Sequence, residues 1–226
     1  MKKTKKMLLG TALAGTLVVV SAGFGTYSWF TSETNALGDM KSGVLAINDG
    51  IDIDTPIFSG TKFTPSQLQY GEWLSLSNTG DLDTYLKATY KHSVDKASLG
   101  AYEVGYMAMK YTKTPGQDVY EDSKIKLANL LKGTTNERSL SIPSNSDGVE
   151  IVGNVVSQEA VDSGEIIFGK GEKDSFWQLD EGQYIDIMIG IKLDESAGNE
   201  YQGATYSAAF NVIAKQTDEG AKYENK

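Results

Sequence analysis

The sequence predicts an all-β fold, an antiparallel sandwich or barrel in which many short strands share one apolar core. Three observations carry this. Ile185, Ile187, Ile189, Ile191 and Leu193 alternate with Tyr184, Asp186, Met188, Gly190 and Lys192, the two-residue period of a strand with one buried face. Ala204, Tyr206, Ala208, Phe210, Val212 and Ala214 alternate in the same way with Thr205, Ser207, Ala209, Asn211, Ile213 and Lys215. Short runs rich in β-branched and aromatic residues recur between turn signals along the rest of the chain.

Further strands are expected at Val44–Asn48, Glu72–Ser77, Thr84–His92, Tyr102–Tyr111, Val149–Val156 and Glu165–Phe168. The alternation leaves one face of each sheet dry, and two dry faces packed together make the core. Asn78-Thr79-Gly80-Asp81 supplies a turn, with Gly80 free to take positive φ. Asp194 to Gly203 holds two glycines and several polar residues and reads as a loop. The two strands flanking it are expected as a long hairpin or as neighbours in one sheet. One segment breaks the β pattern. Ile125, Leu127, Leu130 and Leu131 fall at helical spacing between Ser123 and Lys132, with Asp122 or Ser123 as cap and Gly133 as stop. This is one short helix in a long inter-strand excursion, residues 112–148. The polar run from Thr134 to Gly148, with Pro143, reads as a mobile loop, and Thr217–Lys226 as a frayed tail.

The first 28 residues form a secretory leader. Lys2, Lys3, Lys5 and Lys6 precede an apolar run from Met7 to Phe24, and Thr26 and Ser28 offer small side chains at positions −3 and −1 of a cut before Trp29. An uncleaved anchor is the alternative, but Gly10, Gly15, Ser21 and Gly23 dilute a run already near the lower spanning length. The division expected is therefore 1–28 leader, 29–41 a free N-terminal segment, 42–216 one domain and 217–226 tail. The leader holds four of the 21 basic residues and no acid, so the mature chain carries 17 against 30 acids, a net of −13. Such charge disfavours nucleic acid and anionic lipid as partners and keeps the monomer soluble. No cysteine is present, which excludes disulfide staples, thiolate zinc sites and cysteine nucleophiles.

Catalytic chemistry finds little support. His92 is the only histidine. It lies at a strand end with no nucleophile elbow in the chain, and the H-E-x-x-H zinc helix needs two imidazoles. Calcium could use the oxygens of Asn48, Asp49, Asp52 and Asp54, or of Asn78, Asp81 and Asp83, yet neither run has the spacing of an EF-hand loop. Polar turns of this kind are common in β proteins. Tyr102, Tyr106, Tyr111 and Trp177 could line a sugar-binding face; alternating strand aromatics are more often core or cross-strand pairs. No catalytic residue, metal site or cofactor is assigned.

Several motifs in order resemble the TasA/CalY (camelysin) family of secreted proteins from Bacillus-like Gram-positive bacteria. They are Gly25-Thr26-Tyr27-Ser28-Trp29-Phe30 after the lysine-rich start, Ser42-Gly43-Val44-Leu45-Ala46-Ile47, Tyr70-Gly71-Glu72, and Leu74-Ser75-Leu76-Ser77-Asn78-Thr79-Gly80-Asp81-Leu82-Asp83. Near the end come Asn199-Glu200-Tyr201-Gln202-Gly203 and Ala214-Lys215-Gln216. Tyr70, Ser32 and Ala46 depart from the family's Pro, Asp and Asp, and residues 93–175 carry no family motif. The resemblance implies a two-sheet antiparallel jelly-roll sandwich, export through a SipW-type signal peptidase, and assembly with itself and related matrix proteins into extracellular biofilm fibres. It implies a donor strand after the cut, for which Trp29, Phe30 and Leu37 are the apolar candidates; the alternative is that the segment folds back into its own sheet as a first strand. Membrane contact would end at cleavage. It also carries two other readings, a camelysin-like cell-surface metallo-endopeptidase and a non-polymerising spore-coat or cell-wall protein.

Overall fold

The computed structural model describes residues 31–33, 48, 57–58, 66–133, 136–145, 147–171 and 176–217. These form β1 (Thr31–Glu33), β2 (Leu68–Tyr70), β3 (Leu74–Ser77), β4 (Thr84–Val94), β5 (Tyr102–Tyr111), α1 (Gln117–Lys132), β6 (Ser139–Ile142), β7 (Glu150–Val155), α2 (Gln158–Asp162), β8 (Glu165–Lys170), β9 (Gln178–Leu179), β10 (Tyr184–Leu193) and β11 (Tyr206–Gln216). The expected strand at Val44–Asn48 lies outside the described residues except for Asn48.

The strands make two antiparallel sheets. The first runs β1-β11-β4-β8, with β9 extending the β8 edge of β4. The second runs β2-β10-β5-β7-β6, with β3 beside β2 along the same edge of β10. Every pairing is antiparallel. Taking β2 and β3 as one strand and setting aside β6 and β9, the order is that of a jelly roll, four strands in each sheet.

The facing surfaces of the sheets enclose the main core. Leu74 and Leu76 of β3, Leu86, Ala88 and Tyr90 of β4, and the Ile185–Leu193 odd-numbered row of β10 meet Val212 and Ala214 there. The expectation that each sheet has one wet face fails for the second sheet. Its outer face is covered by α1, so β10 is buried on both sides along most of its length. Met107, Met109 and Met188 pack there with Leu127, Leu130 and Leu131.

Glycine makes that contact close. Gly105 and Gly190 are register partners on β5 and β10. A Cβ on Gly190 would lie 3.0 Å from methyls of both Leu127 and Leu131, and one on Gly105 would lie 3.1 Å from Leu127. The paired glycines are thus a groove into which two helix leucines fit.

The helix itself starts earlier than its apolar spacing predicts. It begins at Gln117 with Gly116 as N-cap, and Ser123, expected as a cap, is buried inside it. The expected stop holds: Gly133 takes the left-handed conformation with φ 63° and returns its N–H to the Leu130 carbonyl.

Three other expectations need correction. β10 and β11 do not pair; each is central to a different sheet, and the Asp194–Thr205 connection crosses between them. The loop expected over Thr134–Gly148 contains β6, laddered to β7 from Ser139↔Asn154 to Ile142↔Ile151. Gly80 does not take positive φ; its N–H is held by the Asn78 side chain instead. No helix among the described residues is long and apolar enough to cross a membrane.

Candidate functional site

β11 is the strand on which the chain's N-terminal segment lies. Alternation turns Val212 and Ala214 into the core and Ile213 and Lys215 outward. One edge is laddered to β4 over the whole length, Tyr206↔Val94 to Gln216↔Thr84. The other edge receives β1, with Thr31↔Lys215, Ser32↔Ala214 and Glu33↔Ile213 in antiparallel register. Part of the expected 29–41 segment is therefore an edge strand of the chain's own first sheet. The other residues singled out there, Trp29, Phe30 and Leu37, lie outside the described residues, as do Thr26 and Ser28 of the expected cut.

A second constellation surrounds the sole imidazole. His92 points into the core end from β4 and is 5 % exposed. Its Nδ1 is 2.7 Å from the Tyr206 hydroxyl, which is 3.1 Å from the Tyr90 hydroxyl. The Tyr90 ring stacks on the imidazole at 5.3 Å. Nε2 is buried and has no hydrogen-bond partner. Burial holds the imidazole below its ordinary pKa, partly opposed by the Val161 carbonyl, which stays outside hydrogen-bond geometry. Burial also raises Tyr206 and Tyr90 well above the ordinary phenol range. This arrangement packs the imidazole into the core.

It does make stability depend on pH. An unfolded imidazole takes a proton near pH ~6.5, while the folded one takes it only at lower pH. Over that interval the unfolded state binds more protons, so stability is full above it and falls as the pH drops through it. The urea midpoint is expected to fall between pH 7.5 and 5.5, and to fall less in His92→Gln. Equal falls in both proteins would remove His92 as the source.

A third cluster lies on the outer face of the second sheet, and of its residues only Tyr111 stood out in the sequence, as a strand aromatic. Asp186 of β10 is 5 % exposed. Its Oδ1 accepts from Ser75 Oγ at 2.6 Å, and its Oδ2 accepts from Tyr111 Oη at 2.8 Å and Tyr120 Oη at 2.7 Å. Ser75 is its register partner on β3, Tyr111 comes from β5 and Tyr120 from α1. Burial, then the bond to Asp186, pushes the Tyr120 phenol up to about 12; burial and the neighbouring Tyr120 and Asp186 raise Tyr111 further. Trp73 meets Tyr120 edge-on at 5.3 Å, and Tyr184 stacks on Tyr111 at 5.5 Å. The one signal in the sequence was an acid inside an isoleucine alternation, which reads as an ordinary solvent-facing residue.

The polar turns considered for calcium are partly committed elsewhere. Asn48 Oδ1 accepts from the Ser77 N–H and hydroxyl, and its amide donates to the Ser75 carbonyl. Asn78 is buried, and its amide donates to the Leu82 and Leu179 carbonyls. Asp49, Asp52 and Asp54 lie outside the described residues. Of the aromatics weighed for sugar binding, Tyr102, Tyr111 and Trp177 are buried, and Tyr106 packs edge-on against Phe168 at 4.7 Å.

The described residues thus define an all-β, two-sheet antiparallel sandwich in jelly-roll order, with a helix on one outer face and an N-terminal edge strand on the other sheet. Comparison with protein-family models, with curated proteins and with solved structures finds no match.

Proposed function

We propose that this chain is a secreted structural protein of an extracellular matrix, assembling into fibres when its mature N-terminal segment adds as a strand to the next subunit. The observation that carries the reading is the antiparallel seat of Thr31–Glu33 on β11. A segment that pairs with this edge within its own chain has the register to pair with the same edge of another copy, which is strand exchange. Each exchange is head-to-tail, so repetition gives a filament unless the rotation closes. The leader supports the reading because it keeps the segment tethered until export. The family resemblance supports it through the motifs around the cut and in the strands. A SipW-type peptidase is the processing partner in this reading, related matrix proteins are co-assembly partners, and no cofactor is required. The peptidase alternative lacks support: the only imidazole is buried with one nitrogen taken by Tyr206.

The chain has no cysteine, so a thiol pair can report which copy supplies the strand. Glu33→Cys with Ile213→Cys places thiols at register partners. In protein processed after Ser28, a short bis-maleimide is expected to give a ladder of covalent multimers under assembly conditions. Protein lacking residues 29–41 should stay folded and monomeric by light scattering and electron microscopy. Added salt or acid should speed assembly of the intact form, because the net charge of −13 opposes contact. Crosslinking only within the monomer, with no filaments across pH and salt, would sink the proposal.

A further inference from the structure

The outer face of the first sheet has a charge opposite to that of the protein as a whole. Core residues Leu86, Ala88 and Tyr90 turn Lys87, Thr89 and Lys91 of β4 outward. On either side, Ile166 and Phe168 turn Glu165 and Ile167 outward, and Val212 and Ala214 do the same for Ile213 and Lys215. Lys170 is directly opposite Lys87 in the ladder, and Lys215 is opposite Tyr85. Among the described residues the face therefore carries Lys87, Lys91, Lys170 and Lys215 against two acids, Glu165 and Glu33, the register partner of Ile213, in a chain with nine more acids than bases.

Glu165 is already committed to Lys91, at 3.7 Å. Lys87 and Lys170 are exposed and make no ion pair among the described residues. Directly opposed strand residues have Cβ atoms about 5 Å apart, and like charges there are destabilising. An acidic protein that keeps two cations facing each other across a strand ladder retains a local anion-attracting spot. At physiological salt each charge reaches only about 8 Å, so the acids elsewhere do not cancel it.

We propose that this face docks a carboxylated polysaccharide, with Lys87 and Lys170 as the charge contacts and Tyr85 as an adjoining aromatic edge for a sugar ring. Gln178, the register partner of Tyr85, and Asn211 beside Thr89 supply neutral hydrogen-bonding groups along the same rows. Polar and charged residues spread along exposed strand rows suit an extended chain rather than a compact ligand. A uronate polymer carries one carboxylate per sugar, whereas duplex DNA carries a charge every ~1.7 Å. The denser polymer meets far more repulsion from a chain of net −9. The proposal does not depend on fibre assembly.

The test is retention of the full chain, in non-ionic detergent, on immobilised polygalacturonate, dextran, polyphosphate and duplex DNA. Retention on polygalacturonate at low salt and none on dextran is expected. Lys87→Glu with Lys170→Glu should bind at least about tenfold more weakly, and Lys87→Gln with Lys170→Gln should reduce the salt slope by about one. A charge-matched control, Lys113→Glu with Lys132→Glu, should bind as the parent does. Thermal melts of the Gln pair no lower than the parent's would show that lost binding is not lost folding. Equal loss in the control, retention on dextran, or binding only to polyphosphate or DNA would overturn the proposal.

Discussion

Asp186→Ala is expected to lower the unfolding free energy by about 3 kcal/mol, because hydrogen bonds to charged groups are the strong ones and orphaned partners add their own desolvation cost. The carboxyl gathers three hydroxyls from three different elements, β3, β5 and α1. Removing it leaves Tyr111, which is buried, without that acceptor, while Ser75 and Tyr120 can turn toward water. Tyr111→Phe and Tyr120→Phe each delete one donor and leave the carboxyl with two others, so each should cost about 1–2 kcal/mol. The location of the damage is also predictable. Tyr120 ties α1 to the buried carboxylate of the sheet, so hydrogen exchange should quicken in α1 before it quickens in β4 and β11. Urea titration with exchange mass spectrometry reads both. A loss below that of either Tyr→Phe variant, or uniform exchange across the fold, would show that the cluster is not a joint between helix and sheet.

The second large effect is expected where α1 meets the paired glycines. Leu127 is fully buried and lies over Gly105 and Gly190. Leu127→Ala should cost about 2–5 kcal/mol through lost burial and an unfilled cavity. Gly190→Ala alone should also destabilise, by about 1–3 kcal/mol, since the new methyl sits 3.0 Å from both leucines. The two changes should compensate. Two of the three close contacts of that methyl are with Leu127, so truncating the leucine makes room for it. The double variant is expected to be more stable than the sum of the two losses by about 1 kcal/mol. Strict additivity would mean that the helix already rides clear of the sheet.

Several elements were legible because their signals are local. The isoleucine row of β10 and the alternation of β11 require only the two-residue period, and Tyr102–Tyr111 and Tyr184–Leu193 appear at the expected bounds. Gly133 ends α1 as expected because the left-handed conformation is nearly free only for glycine. The start of α1 was not legible: Gln117 to Asp122 has little apolar spacing, and Gly116 gives no side-chain cap. β6 was hidden because its four residues, Ser139–Ile142, are half polar and owe their strand state to the β7 ladder.

The amino-acid order by itself determined the long strands, the excess of acid and the absence of thiol chemistry. These follow from neighbours in sequence and from composition. Tertiary structure alone decided which strand lies beside which. β10 and β11 look alike in period, but among the described residues a helix covers the outer face of β10 alone, and they fall in different sheets. It alone made Asp186 a three-way acceptor, placed Lys170 opposite Lys87 and set Thr31–Glu33 on β11. Each of these contacts joins residues tens of positions apart or more. Their energies depend on distance in space, and periodicity along the chain carries no record of that distance.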